Sequence, residues 1–544
     1  MLEQDYYLTN FRYLINFVVD TYQGLLRDDE LQWHAAFIRA SEPSQRLYVR
    51  LSGRRASAFR QSKLSYSEIT SISDAAQTLS DVGLATADAP VTLEELLRAY
   101  TKPELIKLLQ LEEQKQLSRS NLVAYVVDRN LSADITALQE ADNWVSINGL
   151  SAYTVFKLCF FGNCYQDMSE FVLRDLGVFQ YEQYQIDKYS RVFQSRKQIE
   201  AHLQYFECAS ILDQIDQSDA EALLRLDQAL PETSFNDPHL KRRVERLRNA
   251  IARQLERLNR PEQALVLYSF SSRPPSRERQ VRLLMKFSRF DDAMQLCGVI
   301  KATPIADEEL QFVDTILPKL HKALSLPQSR RRTFKPATSK LTLSRAKKRV
   351  EFVARDFYSQ FGDCFYTENT LINGVLGLFI WDIVFAPVEG VFYNPFQSAP
   401  ADFYQPEFVQ TRQALIDLRL QELEDPIVFS ARVWDRYELS FGTVNPLVSW
   451  QYLSKDLLSL ALVRIPTLDW LALFNRMLND LRNHTTGFPD LILFPTAGSY
   501  ELLEIKGPGD AVQKNQRRWM AYFAQHRIPY RVVHIRWANL KQPA

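Results

Sequence analysis

The sequence predicts a multidomain, mostly α-helical protein that ends in a small α/β domain. Its 544 residues, 46% of them hydrophobic, correspond to about three or four domains of ordinary size. Helical periodicity is almost continuous from about 195 to 325, whereas residues 484–537 follow the order strand, hairpin, strand, helix, strand. The apolar content is too high for a disordered chain.

Composition excludes several classes of protein. The 65 basic and 65 acidic residues balance, which argues against a uniformly basic coat for nucleic acid but permits charge gathered in patches. Five cysteines are too few for a disulfide framework and indicate a reducing compartment. The chain starts without a basic, signal-like segment, and the apolar run 374–381 is shorter than the ~20 residues of a membrane span. We therefore expect a cytoplasmic protein without a membrane segment.

Residues 1–85 are predicted to form a basic DNA-binding region. Helical periodicity covers 5–38, and the segment 47–51 alternates as a strand would. From 43 to 67 the chain has no acidic residue. A solvated face is the alternative, but such a window in a balanced chain favours a phosphate-facing surface. Its six basic residues are Arg46, Arg50, Arg54, Arg55, Arg60 and Lys63.

Residues 86–150 predict a small helical module. A first helix carries apolar residues at 93, 96 and 97 and ends at a break, Lys102-Pro103. A second helix carries apolar residues at 105, 108 and 109, and a third begins near Arg119. The arrangement resembles a SAP-type DNA-binding module, with an ordinary helical hairpin as the alternative.

Residues 151–327 predict a helical-repeat, TPR-like domain. Five positions recur at an offset of 29 residues, with a small alanine, Ala264 or Ala293, at the expected helix crossing. Stacked helix pairs need this combination of small and large apolar residues. We expect this segment to act as a scaffold.

Residues 328–350 predict a basic linker. The segment contains nine basic residues and no acidic one, and prolines and serines interrupt it. Two interpretations remain open, a flexible solvated linker and a strip that contacts a nucleic-acid backbone.

The chemistry is concentrated near the C-terminus. Because alternate residues of a strand face the same side, Glu504 and Lys506 are expected to project together, and Asp490 begins the neighbouring strand of the hairpin. Carboxylates are hard ligands for Mg²⁺ or Mn²⁺, and a lysine beside them can orient water or bind phosphate. Pro-Asp and Glu-x-Lys are each common. Together on apolar strands, before Gly507-Pro508-Gly509 and a helix at 511–525, they indicate a metal-dependent phosphodiesterase.

These motifs resemble the VRR-NUC branch of the PD-(D/E)xK nucleases, whose fold is restriction-endonuclease-like. Gly487 to Leu491, Leu502 to Asp510 and Gln516 to Trp519 carry the resemblance. The whole chain resembles the Fanconi-associated nuclease family, as a bacterial member, because the stretches 47–55, 63–68 and 368–385 also match in order. The nuclease domain would span 351–544, with its core at 484–537.

The resemblance implies a set of site residues. Glu368, Asp490, Glu504 and the carbonyl of Ile505 would bind the metal, and Lys506 and Gln516 would complete the catalytic group. A charge–dipole role at a helix start is the alternative for Glu368, and Asp382 and Glu389 are weaker candidates for its place. Arg482 matches a residue that holds a terminal 5′-phosphate, and Lys514 and Arg517 would contact DNA.

The resemblance also implies the function. It suggests a Mg²⁺- or Mn²⁺-dependent hydrolase, a structure-selective 5′ flap endonuclease and 5′–3′ exonuclease in interstrand-crosslink repair. Its partner would be branched or flapped duplex DNA with a 5′ end, and it would lie on the bacterial nucleoid when bound. A restriction-type or junction-resolving nuclease and a non-catalytic repair scaffold are the alternatives.

Overall fold

A computed structural model describes residues 5–54, 56, 58–87, 91–129, 132–166, 180–233, 237–327 and 334–538. The described residues form two compact units. The first comprises those within 1–178 and 186–206, and the second those within 179–185 and 207–544. The predicted class, mostly α-helical with a C-terminal α/β domain, is confirmed.

The first unit is helical with one small sheet. Strands β1 and β2 both pair antiparallel with β3, in the order β1-β3-β2. Its strands are β1 (Ala58–Arg60), β2 (Ala85–Ala87) and β3 (Trp144–Ile147). Its helices are α1 (Tyr6–Tyr22), α2 (Asp28–Arg39), α3 (Glu42–Ser52), α4 (Ile72–Asp81), α5 (Leu93–Ala99), α6 (Lys102–Leu108), α7 (Arg119–Arg129), α8 (Ser132–Glu140) and α9 (Leu150–Phe161).

The strand predicted at 47–51 is wrong, because these residues belong to α3. The buried residues of this helix include Ser44, Leu47, Tyr48 and Leu51, whose spacing is that of one helix face. Pro43 lies in the first turn, where its fixed φ favours a helix start. A window of five residues was too short to separate a period of 2 from one of 3.6.

The helices predicted in the 86–150 module are present as α5, α6 and α7. Together with α8 they enclose one apolar cluster, in which Leu96, Leu105, Leu122 and Trp144 are buried. The resemblance to a SAP-type module stays a prediction.

The second unit contains the helical repeats and the large sheet. Helix α10 (Arg196–Gln214) is divided between the two units. The helices that follow are α11 (Ala220–Gln228), α12 (Pro238–Arg257), α13 (Pro261–Ser269), α14 (Ser276–Lys286), α15 (Phe290–Ala302), α16 (Asp307–Ala323), α17 (Val350–Tyr358), α18 (Leu371–Phe379), α19 (Trp381–Val384), α20 (Pro406–Gln421), α21 (Pro426–Ser440), α22 (Lys455–Arg464), α23 (Thr467–Asn479), α24 (Leu481–His484) and α25 (Lys514–His526).

The repeat at 29 residues corresponds to two similar helix pairs, α12–α13 and α14–α15. Ala264 and Ala293 are fully buried where the paired helices pack. Asn259 and Ser288, also 29 residues apart, both adopt a positive φ, of 56° and 59°. Each ends a helix in the left-handed conformation typical of a helix C-terminus.

A five-stranded mixed sheet forms the core of the C-terminal domain. Its order is β4-β8-β7-β6-β5, with antiparallel pairs β5–β6–β7 and parallel pairs β7–β8 and β4–β8. Helix α25 connects the parallel strands β7 and β8, as such a pair requires. The strands are β4 (Thr338–Leu343), β5 (Gly362–Tyr366), β6 (Leu491–Pro495), β7 (Glu501–Lys506) and β8 (Tyr530–Trp537). The predicted strand, hairpin, strand, helix, strand order is confirmed.

The linker predicted over 328–350 is wrong at 338–343. Residues 338–343 form the edge strand β4, which pairs in parallel with the whole of 532–537. The strand is mostly polar and carries one lysine, Lys340. Charge at a sheet edge discourages further pairing, so the composition of an edge strand can resemble that of a linker. Arg330, Arg331 and Arg332 lie outside the described residues.

Among the described helices, none is by itself long and apolar enough to cross a bilayer. One pair, Lys455–Arg464 with Thr467–Asn479, reaches the length and composition of a span only together, with a bend of 107° between the two helices.

Candidate active site

The hairpin of β6 and β7 brings the Pro-Asp and Glu-x-Lys motifs together. Asp490 directly precedes β6, and the antiparallel register pairs Leu491 with Leu503, so Asp490 and Glu504 are neighbours across the hairpin. The Asp490 Oδ2 accepts a hydrogen bond of 2.8 Å from the backbone N–H of Ile505. This bond fixes the aspartate carboxylate against β7.

Glu504, Lys506 and Gln516 form a closed group of side chains on one face of the sheet. The Lys506 Nζ lies 2.8 Å from the Glu504 Oε1, which confirms that the two residues project together. The Gln516 Nε2 donates to the same oxygen at 2.7 Å, and its Oε1 accepts from Lys506 at 3.0 Å. Gln516 on α25 therefore orients both the carboxylate and the ammonium.

Glu368 comes from the turn between β5 and α18. The resemblance predicted a position at the start of a helix, but α18 begins only at Leu371. Two hydrogen bonds hold the turn to the Asp490 segment, from the Thr367 N–H to the Asp490 carbonyl (2.9 Å) and from the Phe488 N–H to the Asn369 Oδ1 (3.1 Å). A third comes from α18, where the Asn373 Nδ2 donates to the Thr485 carbonyl (2.8 Å).

Two residues of this site were missed by sequence reasoning. The Tyr366 hydroxyl on β5 donates to the Glu368 carboxylate. Glu351 opens α17, where the Arg349 Nε donates to its Oε2 at 3.2 Å. The only signal for Glu351 was an acidic residue in the first turn of a helix, which is common.

Burial and mutual repulsion perturb the two central carboxyl groups. Asp490 and Glu504 are almost fully buried. Burial raises the pKa of Asp490, and the negative charges of Glu368 and Glu351 raise it further, whereas the hydrogen bond from the Ile505 N–H lowers it. Burial and the charge of Asp490 raise the pKa of Glu504 in the same way, while Lys506 opposes the shift. Such shifts mark sites that need a cation or a proton.

The donor set fits a hard divalent cation. The Glu504 Oε2 is buried and has no hydrogen-bond partner, and a buried carboxylate oxygen without one is costly. In the described part of the chain, however, no three acidic, histidine or cysteine side chains converge around a single point. Glu504 is instead turned onto Lys506 and Gln516 through its Oε1, and its Oε2 and the Glu368 carboxylate are the oxygens that would be offered to a cation. Asp382, the weaker candidate, is paired with Arg419 at 2.7 Å.

A separate cavity contains Arg482. Its volume is about 930 Å³, and it lies between the helical repeats and α24, with Arg246 and Arg273 also in its wall. Burial and the neighbouring guanidinium groups lower the pKa of Arg273. Arg242, in the same wall, is paired with Glu407 at 2.8 Å. Among the described residues, no carboxylate lies within ion-pair distance of Arg246, Arg273 or Arg482. The lining as a whole holds five basic and five acidic residues, so the positive charge is local to the cluster of Arg246, Arg273 and Arg482.

The predicted N-terminal DNA-binding residues are largely paired within the first unit. Arg46 bonds Asp5, Arg50 bonds Glu68, and Lys63 lies 3.1 Å from Glu104. These three acidic partners lie outside the acid-free segment 43–67 in sequence. The surface is therefore less positively charged than the composition of that segment predicts. Arg54 is exposed beside the rings of Phe59 and Tyr66.

Arg60 lies in the interior of the first unit and not on a phosphate-facing surface. Its guanidinium bonds Asp142 at 2.9 Å and Glu104 at 3.1 Å and stacks over the ring of Tyr100. Arg55 lies outside the described residues.

Lys514 and Arg517 are exposed in the first turn of α25. They share this turn with Gln516, so they flank the group of Glu504, Lys506 and Gln516. Their contact with DNA stays a prediction.

Two family descriptions match this chain. The VRR-NUC domain matches residues 428–537, and the FAN1 HTH domain matches residues 5–86. The first match includes Asp490, Glu504, Lys506 and Gln516. Glu368 and strands β4 and β5 lie upstream of it, although they belong to the same sheet or site.

Full-length relatives are similar as well. The Fanconi-associated nuclease 1 homolog of Pseudomonas aeruginosa is 34% identical, over 98% of this chain and 96% of that protein. The homolog of Arabidopsis thaliana is 25% identical, over 98% of this chain and 67% of that protein. A crystal structure of paFAN1 bound to DNA with a 2-nucleotide 5′ flap and a gap has a TM-score of 0.87 and 33% identity, and the match covers 99% of each chain.

Proposed function

Because the chain belongs to the Fanconi-associated nuclease family, we propose that it is a structure-selective DNA nuclease that cuts near 5′ flaps and digests 5′ to 3′ in the repair of interstrand crosslinks. Nucleases of this kind generally depend on a metal ion. The observation that carries the proposal is the group of Asp490, Glu504, Lys506 and Gln516 on one sheet face, with Glu368 held beside it.

The carboxylates supply the proposed metal site. Glu368, Asp490, Glu504 and the carbonyl of Ile505 would hold Mg²⁺ or Mn²⁺. When bound, the ion would stabilise negative charge on the scissile phosphate and acidify the attacking water. The unpartnered Glu504 Oε2 and the raised pKa values of Asp490 and Glu504 support a divalent cation at this point.

Lys506 is the chain's own electrophilic and orienting group. An ammonium has three N–H donors, and Glu504 and Gln516 accept two of them. The third is available to a phosphate oxygen or to the attacking water, and the two accepted bonds fix its direction. Gln516 is a positioning residue, because it acts on the reaction through Glu504 and Lys506.

The arginine cluster in the cavity around Arg482 would hold the terminal 5′-phosphate of the DNA. A phosphate dianion would pair with the guanidinium groups of Arg246, Arg273 and Arg482, which lack carboxylate partners among the described residues. Guanidinium groups suit this task because they can bind phosphate through two parallel hydrogen bonds. A fixed 5′ end would set the distance between that end and the cut.

Arg482→Ala is expected to remove the preference for a phosphorylated end. A hydrogen bond to a charged group contributes about 1.5–3 kcal/mol, so cleavage of 5′-phosphorylated DNA should fall roughly ten- to a hundredfold and that of 5′-hydroxyl DNA much less. Single-turnover rates on the two substrates measure the ratio. Arg225→Ala, an exposed arginine on α11, is the control. An unchanged ratio in Arg482→Ala would contradict the assignment.

The N-terminal unit would bind duplex DNA through phosphates and without sequence readout. Arg54 is exposed and has no carboxylate partner among the described residues, and Arg50 and Lys63 keep part of their side chains in solvent. A protein with such a substrate would act on the bacterial nucleoid.

A panel of labelled DNAs tests the proposed function. Flap, nicked, gapped, four-way-junction and single-stranded DNAs are incubated with Mg²⁺ or Mn²⁺, and the products are sized. We expect the 5′ flap to be cut fastest. Preference for the four-way junction would favour a junction-resolving nuclease, and cuts at one short palindrome a restriction-type nuclease. No cleavage of any substrate would favour the non-catalytic scaffold.

A further inference from the structure

The active-site face of the sheet continues beyond Lys506 to the edge strand β4. The parallel register pairs Lys506 with His534 on β8 and His534 with Lys340 on β4. Residues paired in register point to the same face, so Lys506, His534 and Lys340 form a row across three strands spaced by about 4.8 Å. Two residues further along β8, Arg536 pairs with Thr342 on that same face.

Lys340 and His534 of this row, together with Arg536, line one side of a groove of about 640 Å³ that begins next to Lys506, at Gly507. The other side is the Gly507-Pro508-Gly509 turn that ends β7. Gly509 in this turn has a φ of 91°. A Cβ atom added there would meet no atom within 4 Å, so the turn is open to solvent and leaves room for a ligand. Lys340 and Arg536 are exposed, in contrast to the buried apolar residues on the opposite face of the same strands.

The charge of the groove is not compensated. Within the described residues, neither Lys340 nor Arg536 has a carboxylate within ion-pair distance. Asp510 is the acidic residue of the lining, and its Oδ2 is engaged by the N–H of Gly507 at 3.0 Å. Lys340, Arg536 and His534 lie along a line that leads away from Lys506. This arrangement suits a chain of phosphates better than one small anion.

We propose that this groove binds the phosphodiester backbone of the DNA strand adjacent to the scissile phosphate. The proposal rests on the proposed nuclease function, because that function places the scissile phosphate at Lys506. Lys340 and Arg536 would contact successive phosphates without reading the sequence. Strand β4, which looked like a linker in the sequence, is then part of the DNA-binding surface.

Salt-dependent binding tests the groove without any need for cleavage. Affinity for a fluorescent 5′-flap DNA is measured in chelator from 50 to 200 mM salt, for the full chain and for Lys340→Ala/Arg536→Ala. Each phosphate contact contributes about 0.7 to 0.9 to the slope of log K against log salt. The double variant should therefore lose about 1.4 to 1.8 of slope and bind on the order of tenfold more weakly at about 0.1 M salt.

Two further variants separate charge from fold. Lys340→Arg/Arg536→Lys should keep the slope, and Thr342→Lys, which adds a cation to the same face, should steepen it. Lys301→Ala/Lys319→Ala removes two exposed lysines of the helical repeats as a control and should leave the slope near that of the parent chain. An unchanged slope in the alanine variant, or no gain in Thr342→Lys, would overturn the proposal.

The test also distinguishes the groove from the function on which it rests. If the parent chain cuts no DNA but the slope falls as expected, the nuclease assignment fails and the phosphate-binding groove stands. If the parent chain cuts flaps and the slope is unchanged, the groove fails and the nuclease assignment stands.

Discussion

Glu504→Gln and Asp490→Asn are each expected to lower the single-turnover rate of 5′ flap cleavage by at least about 10³-fold. Each change keeps the shape of the side chain but removes a negative charge that a divalent cation needs, and loss of one member of a catalytic group usually removes most of the rate. DNA affinity should change little, because neither carboxylate is expected to bind a phosphate directly.

Glu501→Gln provides the matched control for these variants. Glu501 lies on the same strand as Glu504, three residues earlier, and is paired with Arg531 away from the catalytic group. Its loss should leave the rate within a fewfold of the parent rate. Comparable rates in Glu501→Gln and Glu504→Gln would mean that the catalytic carboxylates lie elsewhere.

Lys506→Met is expected to destabilise the metal-free protein as well as to abolish cleavage. It leaves Glu504, which is 1% exposed, without its counter-charge, and removal of one partner from a buried ion pair costs about 3–5 kcal/mol. The thermal midpoint in chelator should fall by roughly 6–20 °C, since 1 kcal/mol corresponds to roughly 2–4 °C in a domain of this size. Differential scanning fluorimetry measures the shift.

The destabilisation should grow with pH. The folded-state pKa of Glu504 is raised above its unfolded value, so the folded state binds the extra proton. The associated stability is fully present below the unfolded pKa near 4 and is lost as pH rises through the folded pKa. Lys506 limits this loss, so its removal should matter little at acid pH and most at neutral to alkaline pH.

The double variant Glu504→Gln/Lys506→Met should recover most of the midpoint. Equal midpoints for all three proteins would show that the pair is not buried as described.

The central part of the site could be predicted from the sequence because it depends on local periodicity. Glu504 and Lys506 share a face since they are two residues apart on a strand, and Asp490 joins them through a short hairpin. Gln516 lies one connection later, on the helix that any parallel pair of strands requires. All these residues lie close together in the sequence, so their arrangement follows from the local pattern of strands, turn and helix.

The parts that sequence reasoning missed depend on contacts between distant segments. Tyr366 and Glu368 come near Asp490 only because β5 joins the sheet beside β6. The distant acids that pair with Arg46 and Arg60 are residues 5, 104 and 142. The sequence predicts a linker at β4 because edge strands and linkers share a polar composition with basic residues. The sequence of each of these segments does not indicate which distant segment it contacts.

The central claim is that the face of Asp490, Glu504 and Lys506 hydrolyses a DNA backbone with the help of a divalent cation. The most direct measurement is cleavage of one 5′-phosphorylated flap by the parent chain and by Glu504→Gln, in Mg²⁺, in Mn²⁺ and in excess chelator. Only the parent chain with a metal ion should release a discrete product near the flap junction. Equal cleavage by both proteins, or cleavage that persists in chelator, would contradict the claim.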